Sequence, residues 1–375
     1  MRSQGIGYRW GGPPWQVEFR PPPQSPPSAV DFAVVGGGFT GLAAAAWLRC
    51  LAPDRSVALL EAARIGAGAS GRTGGIALAE TAAGDLVGLG DVLAGFAAIL
   101  EALDVECDLS LGGAWEIGRG DALANSPIEW NDRGTLRVVS EVPGGTIHPG
   151  KLVSGLAGAA VRLGVTVIEN AHVECVGWGE PIQVELDQGH LEAGKVLLAT
   201  NALSLNLARL NEGLHPMLTL AAATRPICQE DLAAIGLSEG QPFYTVDLPY
   251  LWGRTLRDNS IVWGAGLVQP PESGDLAEVD IDAEDSLGMF ASLEERIRGL
   301  HPVLSSVEFT HRWGGPILFR DGWQPVFAWH PRSRNAIVLG AYAGHGVALS
   351  SFLGAWAAEA LLGRRELPAW GEVTP

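Results

Sequence analysis

The stretch from Asp31 to Glu61 constrains this chain more than any other. An apolar run, Phe32-Ala33-Val34-Val35, leads directly into Gly36-Gly37-Gly38-Phe39-Thr40-Gly41. An Ala- and Leu-rich stretch follows from Leu42 to Leu48, and a second apolar run, Val57-Ala58-Leu59-Leu60, ends at Glu61. Strand, Gly-rich turn, helix, strand and acid, in that order, form the dinucleotide-binding fingerprint in the context it requires. Gly36 allows the tight turn, Gly38 lets the backbone approach a pyrophosphate, and Gly41 lets the helix pack close to the strand. The helix N-terminus turns N–H groups and a positive dipole end toward the phosphates, and Phe39 and Thr40 in the turn are expected to contact the cofactor. Glu61, 25 residues after Gly36, is placed to bind both hydroxyls of an adenosine ribose. A carboxylate there disfavours a 2′-phosphate, so FAD or NAD fits better than NADP. The alternative is a Gly-rich turn in an unrelated α/β fold. In a chain with 50 glycines the turn alone carries little; the two flanking strands and the terminal acid carry the reading.

The rest of the chain narrows the choice. Its 375 residues suggest two or three domains. Apolar content of 47% and charged content of 18% indicate a globular protein. A net charge of −17 argues against nucleic acid and against an anionic membrane surface as partners. It suits either a cationic substrate or simple solubility. The four cysteines are widely spaced and form no CxxC pair or Cys/His metal pattern, so no metal site is expected. Without a secretory layout at the N-terminus, a cytoplasmic protein with reduced thiols is expected. Residues 32–48 carry no charge, but the stretch is too short for a membrane span and holds four glycines.

Residues 1–28, with Pro21-Pro22-Pro23 and Pro26-Pro27, read as a Pro-rich N-terminal arm or tail outside the core. Its Tyr8, Trp10 and Trp15 are suited to pin it to the body. Helices are expected over 85–105 and 150–164, strands over 112–118, 165–169 and 171–177, and a hairpin through Asp187-Gln188. A buried run, Val196 to Ala199, then ends in Thr200-Asn201. From 215 to 325 the only long helical pattern lies around 284–299. Alternation over 243–252 and 260–267, with Arg257-Asp258-Asn259 between, suggests an antiparallel sheet. Ala336 to Leu339 reads as a strand running into the turn Gly340 to Gly346, then a helix over Val347 to Leu362. Nucleotide-type segments thus fall at 29–84, 146–205 and 326–365, interleaved with 85–145 and 206–325 as a substrate domain. The expected fold is an α/β Rossmann-like nucleotide domain, three-layered as in glutathione reductase, plus an antiparallel-sheet domain. Interleaving of this kind suits two-domain flavin enzymes better than a contiguous NAD domain.

These residues resemble the FAD-dependent oxidoreductases of the D-amino-acid oxidase type, which include glycine and sarcosine oxidases. Within that group the chain is most similar to the branch acting on γ-glutamylputrescine and related amines. The telling segment runs from Glu61 through Gly66-Ala67-Gly68-Ala69-Ser70-Gly71-Arg72-Thr73-Gly74-Gly75, with Thr73 where that branch has Asn. His148 to Leu152, Val196 to Ala202, Arg312-Trp313-Gly314-Gly315 and Ala341 to Gly346 are further likenesses. Near Asp321-Gly322-Trp323-Gln324-Pro325 the chain carries one extra residue before the proline, and Ala341 stands where the family has Gly.

The resemblance implies hydride transfer from the carbon beside a substrate nitrogen to flavin, giving an imine that hydrolyses. It implies noncovalent FAD, since no Cys lies near Trp313 and no His in the loop after Glu61. Cofactor contacts are expected from Ala69, Ser70, Gly71, Arg72, Gly74, Gly75, Val173, Thr200 and Asn201, and from Gly344, His345, Gly346 and Val347 at the last helix. Catalytic candidates are His345, Tyr342, Tyr250 and Trp313. His345 is either a general base or a turn residue held for geometry. Tyr250, Trp252 and Tyr342 would form an aromatic cage for an ammonium group, or else pack in the sheet. Amino-acid oxidases carry an arginine shortly after the Trp-x-Gly unit; here Pro316 and Ile317 stand there, with Arg312 and Arg320 nearby but displaced, which tilts the reading toward an amine or a substrate whose carboxylate is remote from the reacting carbon. Lys151 and Lys195, the only lysines, sit away from any expected flavin position, which leans toward an electron acceptor other than oxygen. A flavin-binding subunit of a multi-chain dehydrogenase, a partner chain or oligomer, and an NAD dehydrogenase remain as alternatives.

Overall fold

The Gly-rich segment folds as its pattern demands. Strand β1 (Ala29–Val35) enters the turn, helix α1 (Phe39–Leu51) leaves it, and β2 (Val57–Leu60) returns parallel to β1. Gly36 sits at φ +112°, and a Cβ there would lie 2.7 Å from the Ala199 carbonyl oxygen. At Gly41 a Cβ would lie 1.9 Å from the Gly36 carbonyl oxygen, so only glycine lets the helix start this close to the turn. The computed structural model describes residues 7–187, 189–203, 205–208 and 213–372.

The chain leaves this first sheet twice. The first excursion comprises β3 (Ile76–Leu78), α2 (Val92–Ala102), β4 (Ala114–Gly118), β5 (Trp130–Asn131), β6 (Thr135–Val142) and β7 (Gly144–Thr146). It returns through α3 (Pro149–Arg162), β8 (Thr166–Ile168), β9 (Val173–Gly177), β10 (Ile182–Leu186) and β11 (Gly189–Leu198). Beyond the short α4 (Leu205–Ala208) come β12 (Leu214–Thr224), α5 (Gln229–Ala234), β13 (Phe243–Thr245), β14 (Trp252–Thr255), β15 (Ile261–Val268), α6 (Glu284–Leu300) and β16 (Phe309–Arg320). Strands β17 (Val326–His330) and β18 (Ser333–Gly340) and helix α7 (Gly346–Leu361) bring the chain back.

The first sheet has the order β17-β18-β11-β1-β2-β8, with β10 and β9 attached beside β11. Its strands β18, β11, β1, β2 and β8 run parallel. Strand β11 serves two partners: Gly189–Ala193 pairs antiparallel with β10, and Val196–Leu198 pairs parallel with β18. The sequence suggests two separate runs here because Glu192, Gly194 and Lys195 interrupt the apolar pattern. Backbone pairing to β1 from Glu192 to Leu198 carries one strand across that interruption. Gln188 of the expected hairpin turn lies outside the described residues, as do residues 1–6 of the arm.

The second sheet has the order β16-β12-β15-β14-β13-β4-β6-β5, antiparallel except for the β13–β4 pair. Residues 243–252, expected as one strand, divide into β13 and the start of β14, which pair with each other. Arg257-Asp258-Asn259 does turn the chain, from β14 into β15, with Asn259 at φ +66°.

Helices α1, α2, α3 and α7 share one core, which includes Leu42, Leu48, Phe96, Leu156 and Leu353. The helical stretch expected inside the substrate domain therefore packs elsewhere: α2 lies against α7 beside the first sheet. Its buried face, Val92, Leu93, Phe96, Ile99 and Leu100, explains the choice. A second correction concerns the arm. Trp10 is fully buried and belongs to the core with Ala33, Val35, Leu198 and Leu218, so the arm enters the packed body at Trp10.

Candidate active site

One cleft of about 1820 Å³ collects residues from both sheets. Gly36, Gly38, Phe39, Thr40 and Glu61 line it from the first βαβ unit, and Ala69, Ser70, Arg72 and Gly74 from the following loop. Val173, Thr200 and Asn201 add the ends of neighbouring strands, and Gly344, His345, Gly346 and Val347 add the start of α7. The candidates Tyr342, Tyr250 and Trp313 also reach its wall. Three expected contacts lie behind that wall. Gly41 faces the Gly36 carbonyl, Gly71 faces the Gly66 carbonyl, and Gly75, at φ +79°, faces the Ile147 carbonyl. At each of them a backbone carbonyl stands where a Cβ would lie, which accounts for glycine there.

The nucleotide end is built by local hydrogen bonds. The Glu61 carboxylate accepts from the Gly37 N–H at 2.8 Å through Oε2 and from the Ala63 N–H at 2.9 Å through Oε1. Burial pushes its carboxyl up, and these two donors oppose that shift. The Ser70 hydroxyl accepts from the Phe39 N–H at 2.9 Å, which fixes the loop over the start of α1. Ser350, one turn into α7, lines the same cleft; its hydroxyl is buried and has no partner among the described residues. A dinucleotide cofactor fits these residues. The close glycine turn leaves room for phosphate against backbone, and Ser350 presents a polar atom that needs a partner. Ser350 was missed in the sequence because its spacing from His345 carries no motif.

Arg72 is neither a loose surface charge nor a free ligand group. Its guanidinium donates to the carbonyls of Ala67 at 3.0 Å and Gly11 at 2.7 Å, and lies over the Trp10 ring at 5.5 Å. Trp313 is 1% exposed, donates Nε1–H to the Arg72 carbonyl at 2.8 Å and meets Trp15 edge-on at 5.7 Å. It is a strut between loop and arm with one edge at the cleft. The aromatic cage does not assemble as expected. Tyr342 is buried, and its hydroxyl pairs with the Thr40 hydroxyl at 2.8 Å. Tyr250 is 54% exposed at the rim. Trp252 slots between Gly74 and Gly264, where an added Cβ would come within 2.2 and 2.0 Å of its ring. Tyr342→Phe removes one neutral hydrogen bond and should cost about 1 kcal/mol of stability. Thermal unfolding should register that loss while kcat stays within about twofold.

At the other end of the cleft, the Tyr244 hydroxyl donates to Glu80 at 2.6 Å and lies 3.1 Å from Glu116. Both carboxylates line the cleft, and burial with Glu80 beside it pushes the Tyr244 phenol far up. Arg72 is the one arginine or lysine among the described lining residues. Arg312 bonds Glu294 at 2.6 Å, and Arg320 bonds the Glu372 carbonyl at 2.6 Å. Lys151 pairs with Asp108 at 2.8 Å, and Lys195 donates to the Leu361 carbonyl.

A model of the FAD dependent oxidoreductase family, DAO, matches residues 31–360. The chain belongs to that family. This DAO-family oxidoreductase is 28% identical over 383 residues to the gamma-glutamylputrescine oxidoreductase of Escherichia coli (strain K12), covering 90% of this chain and 84% of the relative. It is 26% identical over 395 residues to the probable oxidoreductase OrdL of Haemophilus influenzae, covering 93% and 86%. The fold is similar to the crystal structure of glycine oxidase from Geobacillus kaustophilus, with a TM-score of 0.71 at 19% identity, covering 91% and 96% of the two chains. FAD is the cofactor of this DAO-family enzyme, which sets aside the NAD reading. No helix among the described residues is long and apolar enough to cross a membrane.

His345 in this DAO-family chain is largely enclosed, with Nδ1 3.3 Å from the Ala343 carbonyl. Burial lowers its pKa from 6.5. The imidazole is therefore neutral at pH 7 and able to accept a proton. The folded state binds that proton less readily than the unfolded chain, so this contribution is intact above pH 6.5 and lost as pH falls through the lowered value. His148, also lowered by burial, acts in the same direction. The melting temperature should fall on acidification below pH 6.5, and His345→Asn should flatten that slope. An unchanged slope would remove His345 from this account.

Proposed function

We propose that the chain oxidises a C–N bond of a small amine or amino acid, with an amine as the favoured substrate. When bound, FAD supplies the hydride acceptor, and the oxidised substrate leaves as an imine that water hydrolyses. The observation that carries this reading is the character of the far end of the cleft. Glu80 and Glu116 present carboxylates there, Trp252 and Tyr250 add aromatic surface, and Arg72, the one arginine among the described lining residues, is committed to backbone carbonyls. A cationic amine is attracted by such a wall, whereas an α-carboxylate would find no uncommitted guanidinium among the described lining residues to grip it. The name of the Escherichia coli relative, an oxidoreductase of gamma-glutamylputrescine, supports an amine as well.

On this reading Glu61 and the turn Gly36–Gly38 hold the adenosine and pyrophosphate end, noncovalently. Residues 344–347 and Ser350 would hold the other part of the cofactor, where the α7 dipole would favour negative charge on the reduced ring. His345, neutral and beside the cleft, is positioned to take a proton from a substrate ammonium. The first sheet, with segments 29–84, 146–205 and 326–365 and with α2 added, forms a Rossmann-like FAD-binding domain. The second sheet forms the substrate domain.

The test is an absorption spectrum of purified protein before and after acid precipitation, followed by anaerobic mixing with amines and amino acids. Flavin that moves into the supernatant, and bleaching by amines, would support the proposal. Flavin that no amine or amino acid reduces would reject it. Glu80→Gln and Glu116→Gln should each raise KM for a cationic amine by about tenfold, with a smaller effect on kcat. Equal KM values would exclude these carboxylates from substrate recognition. A second reading, a flavin-binding subunit that docks a partner, is favoured by the apolar cleft mouth, where Leu248 is 72% exposed beside Tyr250. Activity that appears only with a partner chain would select it.

A further inference from the structure

The N-terminal arm adds a wall to the cofactor pocket. Tyr8 lines the cleft, close enough to Glu61 that this carboxylate, after burial, pushes the Tyr8 phenol up. Its ring stacks on Trp10 at 4.1 Å and 8° between planes. Trp10 is held on every side. Its Nε1–H donates to the Leu276 carbonyl at 3.1 Å, its own carbonyl accepts from the Gly314 N–H at 2.8 Å, and Arg72 covers its ring. On either side, the Arg9 carbonyl accepts from the Ile281 N–H at 3.0 Å and Gly11 pairs with Trp313. The Gly11 carbonyl accepts from Arg72 at 2.7 Å. These contacts tie the arm to the 66–74 loop, to β16 and to the segment before α6.

We infer that residues 8–11 form a strap over the Glu61 end of the FAD pocket, with Tyr8 as a cofactor-binding side chain and the strap as the barrier to FAD release. The inference rests on the FAD reading of the cleft, and assigns a task to residues that the fingerprint does not include. Arg72 gains a role through it, since its guanidinium anchors the strap.

The experiment compares wild type, Tyr8→Ala and Tyr8→Phe as holoproteins. Release of FAD is followed by the rise of flavin fluorescence on dilution. Tyr8→Ala should release FAD about tenfold faster, the effect of losing one well-packed aromatic contact. Tyr8→Phe keeps the ring and should stay within about twofold of wild type. Tryptic cleavage after Arg9 provides a readout independent of turnover, and FAD should slow it in wild type but not in Tyr8→Ala. Release at the wild-type rate from Tyr8→Ala, or cleavage unaffected by FAD in wild type, would overturn the strap. Either result would leave FAD binding itself untouched. Failure of wild type to take up FAD at all would instead strike the reading of the cleft.

Discussion

Glu61→Ala is expected to weaken FAD binding by about a hundredfold or more. Two backbone donors, the Gly37 and Ala63 N–H groups, bond this carboxylate at 2.8 and 2.9 Å. Hydrogen bonds to a charged group contribute about 1.5–3 kcal/mol each. Their loss frees the turn that, on the proposed reading, stays tight against the pyrophosphate, and the ribose hydroxyls would lose their proposed acceptor as well. Even one such bond's worth of preorganisation, with one lost ribose contact, reaches about 3 kcal/mol, or two orders of magnitude. Glu61→Gln keeps the reach but turns an amide N–H toward one backbone donor, so it should fall between wild type and alanine. Titration of apoprotein with FAD, read by quenching of flavin fluorescence, checks the order. Wild-type affinity in Glu61→Ala would sink the ribose assignment.

The parts of the site that the sequence made legible are those assembled from neighbours along the chain. Gly36, Gly38, Gly41 and Glu61 belong to one βαβ unit, so their spacing alone states their geometry. The His345 turn is read in the same way, because strand β18 runs straight into α7. The acidic end of the cleft is different. Tyr244 meets Glu116 because β13 pairs with β4 in parallel, with Tyr244 opposite Glu116. Glu80 comes from a loop 164 residues away from Tyr244. No local pattern encodes that meeting. The same limit explains Arg72, whose position follows from the Gly-rich segment but whose partners, the Trp10 and Gly11 carbonyls, come from an arm that composition marked as a tail. Proline-rich sequence says that a segment cannot build helix or sheet ladders; it does not say that the segment's tryptophans stay in water. The long strands β12 and β16 were also hidden. Leu214–Thr224 carries small residues at Ala221 to Ala223, of which Ala221 and Ala223 pack with Trp15 and Trp313 while Ala222 packs in the core on the other face, so no apolar–polar alternation marks the strand.

Two Gly→Ala substitutions, both in helices, should move stability in opposite directions, with the loss falling at the Gly-rich turn. An alanine Cβ at Gly41 would lie 1.9 Å from the Gly36 carbonyl oxygen and 3.1 Å from Val34 Cγ1. The first obstacle is backbone, so α1 must move off β1 and take the phosphate-facing turn with it. Overpacking of this kind costs about 1–3 kcal/mol, and backbone obstacles sit at the upper end. Gly41→Ala should therefore lower the melting temperature by several degrees, roughly 2–4 °C per kcal/mol or somewhat less in a chain of this size, and leave the protein largely without flavin. Gly288 lies in α6, exposed, with nothing within 4 Å of an added Cβ. There the helix propensity of alanine acts unopposed, and Gly288→Ala should raise stability by about 0.5–1 kcal/mol with wild-type flavin content. Since intrinsic propensity favours alanine at both positions, the difference in sign isolates the contact between α1 and the turn. Thermal unfolding of both variants, with the ratio of flavin to protein absorbance recorded alongside, measures it. A Gly41→Ala protein that keeps its flavin and melts with the wild type would show that the helix does not need to start this close to the strand.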